Sequence, residues 1–449
     1  MINILEWEKI YKSKVVSADE AISYIRSGDR VVVGHAAGEP SYLVNKLAEN
    51  YETYENVEIV HLVSLSEGKL TKPEMRGHFT FNGFFLSAGN REAVAQGYAD
   101  YSPGFFHELP KLLGRDLPVD VALVMVSKPD KHGFCSFGTS SDYTKPAADV
   151  ATIVIAQVNE YMPRTFGGNL IHVRDIDFIV EHDEPILELQ PAKVGILEAK
   201  IGKYCSTLIK DGDCLQLGIG SIPESVLPFL YDKKDLGLHS EMASDGIVDL
   251  MLAGVINNKR KKLEPGRSVF TFVMGTRRLY DFIDDNPEIS MSPVDYVNDP
   301  TVVAKNDNVV SINSCLQVDL MGQVASESIG MYQFSGVGGQ VDFVRGAAMS
   351  NGGRSIIAML STARKGTVSR IVPFLDKGAA VTTSRNDVHY VITEYGIALL
   401  KGKTLKERAK ALIKIAHPKF RPELKAEYER RFAEPYDMRM RYIHQKENS

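Results

Sequence analysis

Two glycine clusters, a polar stretch and an acidic segment hold the residue types from which a reaction centre could be built. Gly218-Ile219-Gly220-Ser221-Ile222-Pro223 joins a strand-like run, residues 214–217, to the helical spacing of Val226, Leu227 and Leu230. Glycines at such a junction let a ligand come against the backbone, and the unpaired N–H groups opening a helix attract anions. A plain tight turn would need the same residues. The third glycine of a dinucleotide fingerprint is missing, and GxxxxGK[ST] occurs nowhere in the chain. The second cluster, Ser335-Gly336-Val337-Gly338-Gly339-Gln340-Val341-Asp342-Phe343, sets polar and ionisable side chains among three glycines. A bulged strand end would use those glycines equally well. Thr382-Thr-Ser-Arg-Asn-Asp387, followed by Glu394, adds polar groups at another expected strand end.

Between the glycine clusters lies His239-Ser240-Glu241-Met-Ala-Ser-Asp245-Gly246. Open α/β sheets bind ligands beyond the carboxyl ends of their strands, and Glu241 falls at the end of a strand read over residues 236–242. A carboxylate there could act as a general base or as a nucleophile that becomes covalently modified. Asp342 and Glu394 are its rivals. No GxSxG elbow is present, and none of the eleven histidines forms HxH or HExxH, so neither that class of serine hydrolase nor a catalytic metal is indicated. His172 and His182 flank a strand and read as structural.

The elements that must carry these groups occur twice. Ser17-Ala-Asp-Glu20 reads as a capping box opening a helix that Gly28 closes. A strand at 30–33, the loop Gly34-His-Ala-Ala-Gly38-Glu-Pro40, a helix carrying Leu43, Val44 and Leu47, and a strand at 57–63 follow. The same order returns in a helix with Ile201, Cys205 and Leu208 ended by Gly212-Asp213, a strand at 214–217, the Gly218 loop, a helix from Val226 and the strand at 236–242. Gly28 to Gly34 and Gly212 to Gly218 are both six residues. Any two βα units share an outline, but matched Gly-Asp, Gly and Pro positions favour two related α/β halves. Further strands are read at 120–126, 150–158, 268–274, 309–313, 355–360, 379–383 and 390–392, which is the pattern of open, mainly parallel sheets. The boundary between halves, 1–190 and 191–449, is placed near Leu189-Gln-Pro191. The C-terminal stretch with Arg430, Arg431, Arg439 and Arg441 reads as a helix and a basic tail.

The chain has 449 residues, long enough for two or three domains, and its 44% hydrophobic and 24% charged residues are those of a globular protein. With 52 Lys+Arg against 57 Asp+Glu the net charge is −5, which disfavours binding along a nucleic-acid backbone. Four scattered cysteines without a CxxC pair fit a reducing, cytoplasmic setting. Residues 1–14 carry Glu6, Lys9 and Lys12, unlike a signal peptide, and the longest apolar run, at 121–126, is far short of a bilayer span.

At these motifs the sequence resembles the acetyl-CoA hydrolase/transferase family, and within it the 4-hydroxybutyrate (butyryl-CoA:acetate) CoA-transferases. The carrying motifs are Gly133-Phe-Cys-Ser-Phe-Gly138 with Asp142-Tyr143, Gln216 to Pro223, His239 to Asp249, and Phe334 to Phe343. Arg370-Ile-Val-Pro373, Thr382 to Asp387 and Thr393-Glu-Tyr-Gly396 complete the set. The resemblance implies two similar open α/β domains with the active site between them, and Glu241 as a catalytic glutamate carrying a glutamyl-CoA thioester. It implies CoA contacts at Gly218, Ile219, Gly220, Ser221 and Ile222, at Gly336, Gly338, Gly339 and Gln340, and at Asn313 and Lys365. It also implies ping-pong transfer of CoA between a short-chain acyl-CoA and a free carboxylate such as acetate. CoA is then a substrate and no resident cofactor is expected. A homo-oligomer, dimer or tetramer, is expected, and an acyl-CoA hydrolase of the same fold is the alternative.

Overall fold

The structure is a computed structural model that describes residues 4–65 and 68–437, so Arg439 and Arg441 lie outside the described residues. Two parallel-stranded sheets organise it. The first runs, in spatial order, Phe178–Glu181, Ile153–Val158, Val121–Val126, Arg30–Val33, Val57–His61, Phe79–Gly83 and Ala99–Tyr101. The second runs Gly237–Leu238, Cys214–Leu217, Val309–Ser314, Arg354–Ala358, Tyr390–Thr393 and Gly396–Leu399, the last pair antiparallel. Val121–Val126 is buried along its whole length, as a strand covered on both faces by crossover elements must be.

Each sheet reverses its winding beside its first strand, and the two reversal points match atom for atom. Gly34 N–H donates to Leu123 O at 2.9 Å, and Gly218 N–H donates to Ile312 O at 3.0 Å. The Gly-Asp pairs match as well. Asp29 Oδ2 accepts from Arg26 N at 2.7 Å and Asp213 Oδ2 from Lys210 N at 2.6 Å. Gly28 N–H reaches Glu55 O at 3.0 Å, and Gly212 N–H reaches Lys234 O at 2.9 Å. These pairs therefore form turns into strands and do not close helices, since the helices before them are Ala18–Ile22 and Ile196–Thr207.

Five other expectations change. The helix after the Gly218 loop starts at Ser221, with Pro223 in its first turn, where a proline without N–H is tolerated. The strand read over 236–242 stops at Leu238. From there Ser240 N–H pairs with Val269 O, and Met242–Ala243 pairs with Phe272–Val273, so the chain leaves the large sheet. The run at 268–274 is broken at Thr271, whose N–H donates to Glu241 O at 3.0 Å. Residues 379–383 form no strand beyond a bridge from Thr383 to Val324, because Thr382 Oγ1 bonds Glu327 Oε1 at 2.9 Å and Ser326 N at 2.9 Å. The strand expected from Val150 begins at Ile153, Val150 ending a helix.

The halves meet along a hydrogen-bonded seam. Ser141 N–H and Asp142 N–H both donate to Thr271 O, at 3.0 and 3.2 Å, and Val273 N–H donates to Thr139 O at 2.8 Å. Phe166–Gly167 also adds in parallel to Ile289–Met291.

Candidate active site

Glu241 sits where that seam crosses the broken strand, half-buried. Its peptide is pinned by Thr271 and Phe272, and Ser240 Oγ ties the preceding residue to Leu217 N and O, both at 3.2 Å. Asn298 Nδ2 donates to Glu241 Oε2 at 2.7 Å and lies 3.4 Å from Asp342 Oδ2. Asp342, 1% exposed, accepts His107 Nδ1 at 2.8 Å and His107 N–H at 3.2 Å.

This setting raises the Glu241 pKa from an ordinary 4.5 to about 8. Burial is the main cause, and the charges of Asp342 and Asp142 add to it. The Asn298 amide and the Gly339 N–H oppose it. Asp142 belongs to the first half and is fully buried. Burial pushes its pKa up, but His35 Nδ1 at 2.8 Å, Ser140 Oγ at 2.6 Å and Thr144 outweigh that and keep it ionised.

The second glycine cluster closes over this carboxylate. It forms a loop opening the helix Gln340–Met349, not a bulged strand. Gly336 packs on Phe84 and Phe85 of the first half, and a Cβ on Gly339 would collide with both Glu241 Oε2 and Asn298 Nδ2. Gly338 adopts a positive φ of 51° beside Glu241 Oε1 and the Phe85 ring, a conformation glycine takes without strain. An apolar cavity lined by Leu62, Phe84, Phe105, Phe106, Leu109 and Gly338 adjoins it. Gln340 Nε2 donates to Thr383 Oγ1 at 3.0 Å.

The Gly218 loop stands at the reversal point of the second sheet. Ile219 and Gly220 are exposed, Ser221 and Gly218 half-buried, and Ile222 buried. Asn313 lies beside Gly218 and is locked by Gln216 Oε1 at 3.0 Å and Ser311 Oγ at 2.9 Å. A cavity lined by Gly218, Pro223, Glu224, Ala243 and Ser244 connects this loop to the chain just past Glu241. Lys365 is exposed at the tip of the hairpin formed by Thr362–Ala363 and Val368–Ser369, in a left-handed turn with φ of 55°.

Of the rival acids, Glu394 spends both oxygens on Ser361, at 2.8 and 2.6 Å. Asp342 does lie beside Glu241, as its partner in the network. Asn298 and His107 had no local signal in the sequence, since their meaning depends on contacts 57 and 235 residues away.

Known proteins resemble this chain over most of its length. Residues 2–190 match the acetyl-CoA hydrolase/transferase N-terminal domain, and residues 275–428 match the corresponding C-terminal domain. The chain is 61% identical over 429 residues to a 4-hydroxybutyrate coenzyme A transferase of Clostridium kluyveri, covering 95% of this chain and 100% of that protein. It is 39% identical to a butyryl-CoA:acetate CoA-transferase of Anaerostipes caccae, covering 94% and 97%. A crystal structure of a 4-hydroxybutyrate CoA-transferase from Porphyromonas gingivalis superimposes with a TM-score of 0.83 at 46% identity, over 95% of this chain and 100% of that one. An acetyl-CoA hydrolase of Yarrowia lipolytica matches more distantly, at 29% identity over 51% of this chain.

Proposed function

The chain belongs to the acetyl-CoA hydrolase/transferase family and is a CoA-transferase, and from that premise we propose that Glu241 carries CoA between a short-chain acyl-CoA and a free carboxylate. The acyl donors are 4-hydroxybutyryl-, butyryl- and acetyl-CoA, with acetate among the acceptors. One observation carries the reading. Glu241 stands at the seam of the halves with Oε2 held by Asn298 and Oε1 beside the glycine cluster and an apolar cavity.

In the first step the ionised carboxylate attacks the acyl-CoA carbonyl. The C–S bond breaks, leaving a mixed acyl–glutamyl anhydride and CoA thiolate. The thiolate then attacks the glutamyl carbonyl and expels the acyl group as a free carboxylate, so the thioester is conserved on Glu241. An incoming acid reverses the two steps. N–H groups of the Gly338–Gly339 turn are suited to stabilise the oxyanions, an effect typically worth about 3–4 kcal/mol per donor. The Gly218 loop and Asn313, and Lys365 at its exposed turn, would hold the CoA moiety. The reading treats CoA as substrate and needs no resident cofactor. It places residues 1–190 and 191–449 on either side of the site, in a cytoplasmic homo-oligomer. Among the described residues no helix is long and apolar enough to cross a membrane.

The discriminating assay supplies butyryl-CoA with and without acetate and follows free CoA and acetyl-CoA. Parallel double-reciprocal lines at varied acetate, with little CoA release in buffer, are expected. Intersecting lines would remove the covalent carrier, and rapid CoA release without acetate would make the protein a hydrolase.

A further inference from the structure

The network behind Glu241 starts in the other half of the molecule. His107 lies in the short Phe106–Glu108 turn of the first half, and both its backbone N–H and its ring Nδ1 bond the carboxylate of Asp342. Asp342 stands in the first turn of the helix Gln340–Met349, directly after the glycines that touch Glu241. Its Oδ2 lies 3.4 Å from the Asn298 amide nitrogen that holds Glu241 Oε2 at 2.7 Å. Asn298 Oδ1 is buried and has no hydrogen-bond partner among the described residues, so the orientation of this amide rests on the two carboxylates at its nitrogen.

The geometry points to His107 and Asp342 as positioning residues for the transfer reaction: His107 fixes Asp342 across the seam, and Asp342 fixes the Asn298 amide that leaves Glu241 Oε1 as the attacking atom. This rests on the glutamyl-carrier reading and extends it, because it makes the nucleophile's alignment depend on how the two halves meet. The charged groups around the string are Asp142, itself paired with His35, on the Glu241 side, and Glu108 and Asp299 around His107. Burial works against a charged His107, yet its bond to Asp342 and the nearby acids outweigh this and raise its pKa. Burial raises the Asp342 pKa, and His107 opposes that rise. Asp342 thus contributes both alignment and a negative charge that disfavours ionisation of Glu241.

The test uses the full-length protein in four forms: wild type, His107→Ala, His107→Asn and Asp342→Asn. The side-chain amide introduced by His107→Asn would keep a donor close to the place of Nδ1. For each form, kcat with butyryl-CoA and acetate, the dissociation constant of CoA, and the pH dependence of kcat/KM are measured. His107→Ala should lose about 10- to 100-fold in kcat, the scale of a misplacement of about 1 Å, while CoA affinity stays within a factor of two. His107→Asn should recover much of that loss. Asp342→Asn should move the acid limb of kcat/KM down by about one pH unit, because a like charge beside Glu241 is gone. A purely structural contact would not move that limb.

A His107→Ala enzyme within twofold of wild type, a loss confined to CoA affinity, or an unmoved limb in Asp342→Asn would each overturn the inference. Should His107→Ala fail to fold, His107→Asn and the Asp342→Asn profile still decide it. Peptide mapping of wild type in the same series separates the two levels. An adduct on Glu241 with unimpaired variants defeats only the positioning role, whereas no adduct on Glu241 defeats the carrier reading beneath it.

Discussion

The two halves share a scaffold down to individual hydrogen bonds, yet one holds the proposed nucleophile and the other does not. Arg30 pairs with Glu58 as Cys214 pairs with Gly237. Glu58 N–H donates to Asp29 O at 2.9 Å, as Gly237 N–H donates to Asp213 O at 2.9 Å. Four residues further along in each half, Leu62 stands at the sequence position that Glu241 holds in the second half. In the first half the strand continues to His61, and Leu62, 3% exposed, joins an apolar cluster with Phe84 and Phe106. In the second half the strand ends at Leu238, Ser240 changes partner to Val269, and Glu241 emerges at the seam. The glycine loop and the sheet reversal are common property. The broken strand and the carboxylate it brings to the seam are what separate a packing position from the proposed reactive one.

The sharpest way to break that contrast is to exchange the two positions. Glu241→Ala should lower turnover by at least about a thousandfold with CoA binding preserved, since the other carboxylate of the network, Asp342, is 1% exposed and held by His107. Adding Leu62→Glu to a Glu241→Leu protein should restore nothing, because Leu62 packs in the apolar cluster with Phe84 and Phe106, where a carboxylate would not be held as the Asn298 amide holds Glu241. Recovered activity in the exchanged protein would show that the shared scaffold alone suffices.

Gly339→Ala tests the close approach with a smaller expected effect. The new Cβ must displace Glu241 or Asn298, and about a 100-fold loss in kcat is expected, read by steady-state kinetics alongside a melting curve. Unchanged kcat would mean that the carboxylate tolerates a shift. Leu62→Ala should show the opposite balance. Truncating a buried leucine costs about 2–5 kcal/mol of stability in chemical denaturation, while the rate at saturating substrate falls less than about tenfold.

Much of this contrast was legible in the sequence, and the illegible parts have a common cause. Strands 30–33, 214–217 and 121–126 announce themselves as short apolar runs, and the Gly28/Gly212 and Gly34/Gly218 spacings give the repeat. Glu241 was readable as a candidate, although for a reason that needed correction. It does not end a strand of the large sheet, because His239 and Ser240 send their side chains to Val297 O and Leu217, partners far away in sequence. Asn298 sits in an unremarkable Val-Asn-Asp-Pro stretch and His107 in a Phe-His-Glu turn. Neither has a periodicity or spacing that betrays a contact across the seam. The expected strand at 379–383 failed in the same way, through the side-chain bonds of Thr382 to Glu327 and Ser326.

The smallest predicted effect is thermodynamic. A carboxyl whose folded pKa is raised from 4.5 to about 8 binds its proton more tightly in the native state. Its contribution to stability is therefore whole below about pH 4.5 and is lost as pH rises toward 8. Glu241→Gln does not titrate, so its stability should gain on wild type across that window and run parallel above it. The gain should be on the order of 2–4 kcal/mol in chemical denaturation, discounted for partial exposure. A difference that is flat with pH would mean that Glu241 ionises normally. Position 62 offers no such signal, since Leu62→Gln should destabilise at every pH.

The central claim is that Glu241, and not its surroundings, carries CoA. Wild-type protein incubated with butyryl-CoA, quenched in acid, digested and mapped by mass spectrometry should yield a peptide spanning residues 239–249 with CoA attached through a thioester at Glu241. The adduct should disappear on addition of acetate and be absent from Glu241→Gln. An adduct on Asp342 or Glu394, or full exchange activity with no adduct on Glu241, would contradict the account.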